Sequence, residues 1–495
     1  MHEVVPERSP PGRPDDLLSS PDAGPTAIRG GTLRISSFAA GSVFGIVGGA
    51  LLFRHLGVVD AGRYTLALSL GALVTGLTDL GLTAIGMREL ATLEGERRAR
   101  MATSLLGIRI VLTSIGVLAV TVFAFLAYGT LLATGVLIAG AGVLLTSVQT
   151  TLAVPLMAGL RLGWVSALDL ARVIVTTALI VLFVVLDARL LPFLATSVVG
   201  AAIVLIPTAI LVRGNIPLRP SFQLAQWREL LKPILAYSLA VAAATLYFRL
   251  ALVIVSLLAS DQELGYFSLS FRIVEILFVL PGLLVGAAFP IFARAARDDP
   301  ARLGYALSRV FEVSLIVGAW IALSLAAGAP LAIAIIGGPS FESAAPILAI
   351  HGLALGATFV NAVWGFAMLS LHMHRTILLL SVASLAALAV TVTGLVMLDG
   401  ARGGAIGTAA VEVGVTVLSA ALLVRGRPHL RPRLAIVPKV ALAALLGAAP
   451  MLATGVPVAG RVVLCGVVYA AVLFATRAFP DELDALLPAA RRRPR

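Results

Sequence analysis

Long apolar segments recur along the chain and limit the folds that are open to it. From residue 33 to residue 477, apolar segments of roughly 18 to 27 residues alternate with short polar turns. A helix of about 20 apolar residues crosses the hydrocarbon core of a bilayer. Hydrophobic residues make up 59% of the 495 residues and charged residues only 13%, which is far from the composition of a soluble domain. The sequence therefore predicts an all-α polytopic membrane protein.

Each apolar segment is predicted to form one helix that crosses the membrane, which gives about fourteen transmembrane helices. The predicted spans are 33–56, 64–86, 103–127, 131–157, 163–186, 190–212, 233–259, 264–292, 306–336, 343–371, 377–398, 402–424, 437–455 and 460–477.

Cations are distributed unevenly over the loops between these spans. With both termini in the cytoplasm, the cytoplasmic loops and tails hold 25 Lys and Arg residues, and the opposite loops hold five, namely Arg54, Arg63, Arg189, Arg402 and Arg461. The positive-inside rule therefore predicts that both termini are cytoplasmic. The same distribution explains the net charge of +12 without a nucleic-acid partner.

Several classes of function lack the residues that they need. The single cysteine, Cys465, lies inside an apolar segment, so no disulfide framework or cysteine metal site is available. No GxxxxGK[ST] loop is present, which excludes an ATP-driven pump in one chain. The longest loop between predicted spans, 213–232, is too short for a nucleotide- or sugar-donor domain. We therefore expect no catalytic residue, no metal site and no cofactor.

A repeat in the sequence divides the predicted helices into two halves. The segment 53–90 is echoed by 261–296, and Gly62 matches Gly265. We predict two pseudo-repeated six-helix bundles followed by two extra helices. The predicted parts are a disordered cytoplasmic tail (1–32), an N-terminal bundle (33–212), a linker with an amphipathic helix at the cytoplasmic interface (213–232), a C-terminal bundle (233–424), two extra transmembrane helices (425–477) and a basic cytoplasmic tail (478–495).

Charged residues inside the predicted spans are candidates for function, because each charge at bilayer depth costs on the order of 3 kcal/mol on insertion scales. They are Asp79, Arg109, Asp169, Arg172, Arg249, Arg272, Glu275, Glu312 and Glu412. Two pairs, Asp169 with Arg172 and Arg272 with Glu275, have i,i+3 spacing, so each pair can neutralise itself on one helix.

The arginines Arg249 and Arg109 have no acid one turn away on their own helices. Each must reach either a carboxylate on another helix or a hydrated cavity that is open to an anion. We therefore predict a lumenal anion site formed by Arg249, Arg272 and Arg109. The residues predicted to couple transport to an ion, or to form fixed ion pairs, are Glu275, Asp169, Arg172, Asp79 and Glu412.

Several motifs of the chain follow the order and spacing of a known family. They are LGVVDAGRY (56–64), ELGYFSLSFRIVE (263–275), ESAAPILAIHGLALG (342–356) and GGAIGTAAVEVGVTVLSAALL (403–423). Over essentially all of 33–477 the sequence resembles the polysaccharide biosynthesis flippases of the multidrug/oligosaccharidyl-lipid/polysaccharide exporter (MOP) superfamily. In that family, span seven often carries an acid two residues after an Arg, whereas this chain has Ala251 after Arg249.

The resemblance implies two six-helix bundles around a central cavity, two additional C-terminal helices and no enzymatic activity. It implies that the protein moves an undecaprenyl-diphosphate-linked oligosaccharide from the inner to the outer leaflet of a bacterial cytoplasmic membrane. The expected partners are that lipid-linked oligosaccharide, membrane lipids, a polysaccharide polymerase and glycosyltransferases. Two alternatives remain open, namely a cation-coupled multidrug efflux transporter and a non-transporting scaffold for glycan synthesis.

Overall fold

A computed structural model describes residues 23–159, 161–232, 235–453 and 455–478, and in these residues the secondary structure is helical, without strands. The α-helices are α1 (Ala23–Asp79), α2 (Leu82–Thr92), α3 (Gly95–Tyr128), α4 (Thr130–Ala158), α5 (Leu162–Val185), α6 (Leu190–Val212), α7 (Leu224–Leu231), α8 (Leu235–Leu258), α9 (Asp261–Leu277), α10 (Val279–Gly286), α11 (Phe289–Asp298), α12 (Pro300–Ile336), α13 (Ala344–Ser370), α14 (His374–Arg425), α15 (Ile436–Ala448) and α16 (Val458–Ala475).

Eleven helical segments of the described residues are long and apolar enough to cross a membrane, and Ile436–Leu452 is a shorter apolar segment. The prediction of an all-helical, multi-pass membrane protein is therefore confirmed. The count of fourteen crossings stays a prediction. Two of the eleven segments leave helical geometry partway along, at Gly57 and at Asp399–Gly400.

The breaks in α1 and α14 lie at glycines. Gly57 has φ 70° and interrupts α1 between the predicted spans 33–56 and 64–86. In α14 the chain leaves helical geometry at Asp399 and Gly400, and Gly400 has φ 50°. A positive φ costs glycine little, since it has no Cβ, so both turns are built where the sequence supplies this residue.

The two arms of α14 fold back on each other as a hairpin. The first arm contacts the second through its backbone, because a Cβ at Gly407 would lie 3.0 Å from the Cα of Val392. Farther toward the turn, a Cβ at Gly403 would overlap the carbonyl of Leu395. The start and the end of α14 therefore lie at the same end of the hairpin.

The chain divides into two compact units. Unit 1 comprises Met1–Leu51 and Leu70–Ala242, and unit 2 comprises Leu52–Ser69 and Ala243–Arg495. The segment Leu52–Ser69 therefore groups with the C-terminal residues, although it lies within the predicted N-terminal bundle. The predicted tail 1–32 falls mostly outside the described residues, and the predicted tail 478–495 lies outside them except for Ala478.

Unit 1 holds the linker that follows α6. The linker contains the helix α7, and its Trp227, Leu230 and Leu231 pack against the hydrophobic core of unit 1. The linker backbone is tied to α3, because the amide of Ser221 donates to the carbonyl of Thr103 at 2.9 Å. Part of the apolar face of this helix is therefore used for packing within the protein, while Leu224 remains exposed.

In unit 2, the matched glycines of the sequence repeat lie against each other. A Cβ at Gly62 would come 2.9 Å from the backbone nitrogen of Gly265, and a Cβ at Gly265 would overlap the carbonyl of Val58. Arg63 closes the same contact, since it donates to Asp60 at 3.1 Å and to Asp261 at 2.7 Å. Gly62 and Gly265 thus allow α1 and α9 to approach each other closely through their backbones.

We expect Gly265→Ala to lower the stability of the protein. The added methyl group overlaps the Val58 carbonyl, and overpacking of this kind costs about 1–3 kcal/mol, more than the helix propensity of Ala returns. Thermal unfolding in detergent measures the effect. Gly394→Ala in α14 is the control, because a Cβ there meets no atom within 4 Å. Equal melting temperatures for Gly265→Ala and Gly394→Ala would contradict the packing argument.

Candidate functional site

Two arginines and one glutamate come together in unit 2. Arg249 of α8 donates from Nη2 to Oε1 of Glu275, and Arg272 donates from Nη1 to Oε2 of Glu275 at 2.8 Å. Arg272 and Glu275 are three residues apart on α9, so they share one face of that helix. We call Arg249, Arg272 and Glu275 the arginine–glutamate cluster. With two guanidinium groups and one carboxylate, it carries a net charge of about +1.

Arg249 is the fixed member of the arginine–glutamate cluster. Its Nη1 donates to Oγ of Ser69 at 3.3 Å, and its guanidinium lies 5.2 Å from the ring centroid of Phe248 and 5.3 Å from that of Phe271. Cation–π contacts of this kind stabilise a partly desolvated charge. The Arg249 side chain is 15% exposed, whereas that of Arg272 is 47% exposed. Arg272 is therefore the member that a ligand can reach most easily.

A cavity of about 550 Å³ adjoins the cluster within unit 2, and Glu275 is part of its wall. Its volume lies in the range of small-molecule sites, which are mostly apolar with a few polar groups. The apolar part of the wall includes Ala243, Ala244, Phe248, Phe278, Val279, Met368, Ile377, Leu380 and Val415. The polar part includes Tyr247, Thr358, Asn361, Ser384, Ser419 and Glu412.

Glu412 is a second acid in the wall of this cavity and differs from Glu275 in its partners. It is 6% exposed, its Oε1 accepts from the hydroxyl of Tyr247 at 2.7 Å, and its Oε2 accepts from Thr358 Oγ1 at 3.4 Å. In the described part of the chain, no cationic side chain forms an ion pair with Glu412. A buried carboxylate with neutral hydrogen-bond partners is suited to exchange a proton or a monovalent cation.

Arg109 and Asp79 form an ion pair in unit 1. Nη2 of Arg109 lies 2.6 Å from Oδ1 of Asp79, and this carboxylate also accepts from Thr83 Oγ1 at 2.6 Å and from the Gly81 amide at 3.1 Å. Arg109 is only 3% exposed. Of the two alternatives that the sequence left open, the structure shows a carboxylate on another helix. The guanidinium is closed off from a ligand, which argues against Arg109 as part of an anion site.

The other charges of the predicted spans form pairs along single helices. The pair of Arg172 with Asp169 has a separation of 3.6 Å, and both side chains are exposed. Glu312 is buried and pairs with Arg309 at 2.8 Å. This second pair was missed from the sequence, although its i,i+3 spacing is the signal that identified the others.

Two polar residues at membrane depth have local structural roles. His351 is buried, and its Nδ1 lies 2.6 Å from Oγ of Ser270. Cys465 is also buried and is not in a disulfide. Among the described residues, no group of three or more His, Cys, Asp or Glu side chains is arranged to hold a metal ion.

We expect Asp79→Asn to destabilise the protein by about 3–5 kcal/mol, because it leaves the buried Arg109 charge without its counter-ion. Chemical unfolding in detergent, followed by tryptophan fluorescence, measures this. The control is Asp169→Asn, which removes an exposed ion pair and should change the stability by about 0–1 kcal/mol. A loss of the same size in both variants would mean that burial does not govern the contribution of these pairs.

Long apolar helices with charged groups inside the predicted spans define a multi-pass membrane protein. The chain belongs to the polysaccharide biosynthesis protein family, whose sequence model matches residues 28–296, more than half of the chain. The family resemblance found in the motifs is therefore confirmed. No curated protein sequence matches the chain.

Solved structures of the MOP superfamily share the fold. The chain is similar to a lipid II flippase MurJ in an inward closed conformation, with a TM-score of 0.73, 13% identity and coverage of 91% of this chain and 99% of that chain. It is also similar to an outward-facing multidrug resistance MATE family transporter, with a TM-score of 0.55, 16% identity and coverage of 85% and 98%. A MOP superfamily transporter from Pyrococcus furiosus matches with a TM-score of 0.54, 16% identity and coverage of 86% and 100%.

Proposed function

We propose that the protein is a flippase that moves an undecaprenyl-diphosphate-linked oligosaccharide, a precursor of a surface polysaccharide, from the inner to the outer leaflet of a bacterial cytoplasmic membrane. The observation that carries this proposal is the arginine–glutamate cluster, in which two arginines share one carboxylate. Membership of the polysaccharide biosynthesis protein family and the fold shared with a lipid II flippase support it. The protein itself needs no enzymatic activity for this role.

The diphosphate of the substrate is the group that the cluster would bind. Guanidinium groups donate paired hydrogen bonds to phosphate oxygens, and the attraction is stronger where water is partly excluded. The exposed Arg272 would exchange the Glu275 carboxylate for a phosphate oxygen, while Arg249 stays held by Ser69 and two aromatic rings. Glu275 would return to Arg272 when the substrate leaves. The Glu275 carboxylate thus lowers the electrostatic cost of two unpaired arginines when no substrate is bound. It also competes with the diphosphate for Arg272, so that the substrate can leave.

We propose alternating access, in which the bundle 33–212 rocks against the bundle 233–424, with the helices of 425–477 added to the second. The breaks in α1 and α14 and the short apolar segment Ile436–Leu452 support fourteen crossings in place of eleven. An even number puts both termini on one side, and the charge bias favours the cytoplasm. Glycosyltransferases would supply the substrate, and a polysaccharide polymerase would consume it.

We expect Arg249→Ala to lower export of the surface polysaccharide at least about tenfold, because it removes a guanidinium from the cluster while the protein still reaches the membrane. Export in a strain that depends on this gene, normalised to the amount of membrane-inserted protein, measures the effect. Arg249→Lys keeps the charge without the paired donors and should be intermediate.

The matched control for this experiment is Arg172→Ala, which also removes an arginine from an ion pair within a predicted span, and it should export normally. Normal export by Arg249→Ala would remove the cluster from the proposed site. If Arg249→Ala and Arg249→Lys both left export unchanged, the alternative of a non-transporting scaffold would be favoured.

A second candidate function, cation-coupled multidrug efflux, is favoured by one observation. Glu412 is buried in the cavity wall and has only neutral hydrogen-bond partners in the described residues, as a site for a proton or a monovalent cation would require. The MATE transporters that share the fold are described as multidrug resistance proteins. The same residue would serve as the coupling group of a flippase.

We expect Glu412→Gln to abolish the dependence of transport on an imposed proton or sodium gradient, because the amide can hold neither ion by charge. Proteoliposomes with and without the gradient measure this. Glu312→Gln is the control, with transport normalised to the amount of folded protein, since Glu312 is buried to the same extent but is paired with Arg309. Gradient dependence that survives in Glu412→Gln would show that coupling does not pass through this carboxylate.

A further inference from the structure

A second group of cations lies outside the arginine–glutamate cluster, in the C-terminal part of the chain. From Val413 to Ala478 the sequence contains seven Arg and Lys residues and no Asp or Glu. Four of the seven lie close together, at Arg425, Arg427, Arg431 and Arg433. Because no acid is near in sequence, any carboxylate partner of these four arginines has to come from elsewhere in the fold.

The hairpin of α14 brings a second basic stretch to the same place. His372 lies in the turn before α14, His374 and Arg375 are the first two residues of α14, and α14 ends at Arg425. Since its two arms fold back on each other, both ends of α14 lie together. The contact is direct, because Nη1 of Arg427 lies 3.4 Å from the sulfur of Met373. We call Arg375, Arg425, Arg427, Arg431 and Arg433 the basic surface.

The loop that carries most of the basic surface is anchored and does not depend on a ligand for its position. Leu430 is completely buried in the core of unit 2. The carbonyl of His429 approaches α12 closely, since a Cβ at Gly304 would lie 2.6 Å from it. The backbone that carries the arginines on either side of Leu430 is therefore held in place, which lowers the backbone entropy that a bound partner would have to remove.

The charges of the basic surface are not neutralised within the described residues. Among these residues, none of the five arginines takes part in an ion pair. Four of them are exposed, and Arg427 is half-buried. The membrane-depth charges Arg109, Arg249 and Arg272 each have a carboxylate partner. Arg427, in contrast, has a thioether as its recorded side-chain partner, and sulfur is a weak acceptor.

Apolar side chains border the basic surface. Leu379 in the first turns of α14 is 70% exposed, and Leu434, directly after Arg433, is 64% exposed. A soluble anion would need only the arginines and would make no use of the exposed leucines beside them. An anionic phospholipid, in contrast, presents a negative headgroup at the level of the arginines and acyl chains at the level of the leucines.

We propose that the basic surface binds the headgroups of anionic phospholipids and so ties the end of unit 2 to a negatively charged leaflet. The binding is separate from the substrate site, because none of its residues belongs to the arginine–glutamate cluster or to the cavity. A failure of this proposal therefore leaves the proposed flippase activity untouched, and the reverse also holds.

The test uses the full-length protein purified in a neutral detergent, with fluorescent phosphatidylglycerol and fluorescent phosphatidylcholine as probes. We expect phosphatidylglycerol to bind at least about tenfold more tightly at low salt, and the difference to shrink as salt is added. The triple variant Arg427→Gln, Arg431→Gln, Arg433→Gln should bring the two affinities to within about twofold of each other. The corresponding triple Lys variant keeps the charge and should keep most of the preference.

The matched control removes the same number of arginines from unit 1, as Arg213→Gln, Arg219→Gln and Arg228→Gln, all three of which are exposed. It should retain the preference for phosphatidylglycerol. The proposal is overturned if wild type shows no preference, if the two Gln triples lose it equally, or if inorganic diphosphate displaces phosphatidylglycerol at equal concentration, which would mark a soluble-anion site. Melting temperatures of all variants verify that the Gln triple is folded.

Discussion

The cost of placing a charge among apolar helices determines most of what is distinctive in this protein. An unpaired charge at bilayer depth is expensive, so each one needs a partner, water or a ligand. The buried pair of Arg109 with Asp79 meets this need by a direct ion pair that is closed off from a ligand. The arginine–glutamate cluster meets it with one carboxylate for two arginines, so a positive charge remains beside a cavity. Because of that remaining charge, the arginine–glutamate cluster is a candidate binding site, whereas the pair of Arg109 with Asp79 is structural.

Glycine is the second constraint, because it allows the helices of unit 2 to turn and to touch. Gly57 and Gly400 let α1 and α14 change direction within a few residues. Gly62 and Gly265 let α1 and α9 meet through their backbones. The contact explains why Leu52–Ser69 groups with unit 2, although it lies within the first half of the sequence.

The helical membrane fold could be predicted from the sequence because the length and composition of an apolar helix are local properties. The pairing of Arg272 with Glu275 could be predicted for the same reason, since i,i+3 spacing is enough. The partner of Arg249 could not be named, because Glu275 lies on a different helix and only tertiary packing brings them together. The hydrogen bond from Tyr247 to Glu412 joins residues 165 positions apart and left no local signal. The predicted boundaries of the two bundles remain a prediction.

The most direct test of the account is a leaflet-accessibility measurement in proteoliposomes that contain the purified protein and a fluorescent undecaprenyl-diphosphate oligosaccharide. An impermeant quencher added outside reports how fast the lipid reaches the outer leaflet. We predict faster quenching than in protein-free liposomes, and a rate close to that of protein-free liposomes with Arg249→Ala. Quenching at the protein-free rate with the wild-type protein would contradict the flippase, and unchanged acceleration by Arg249→Ala would contradict the role of the cluster.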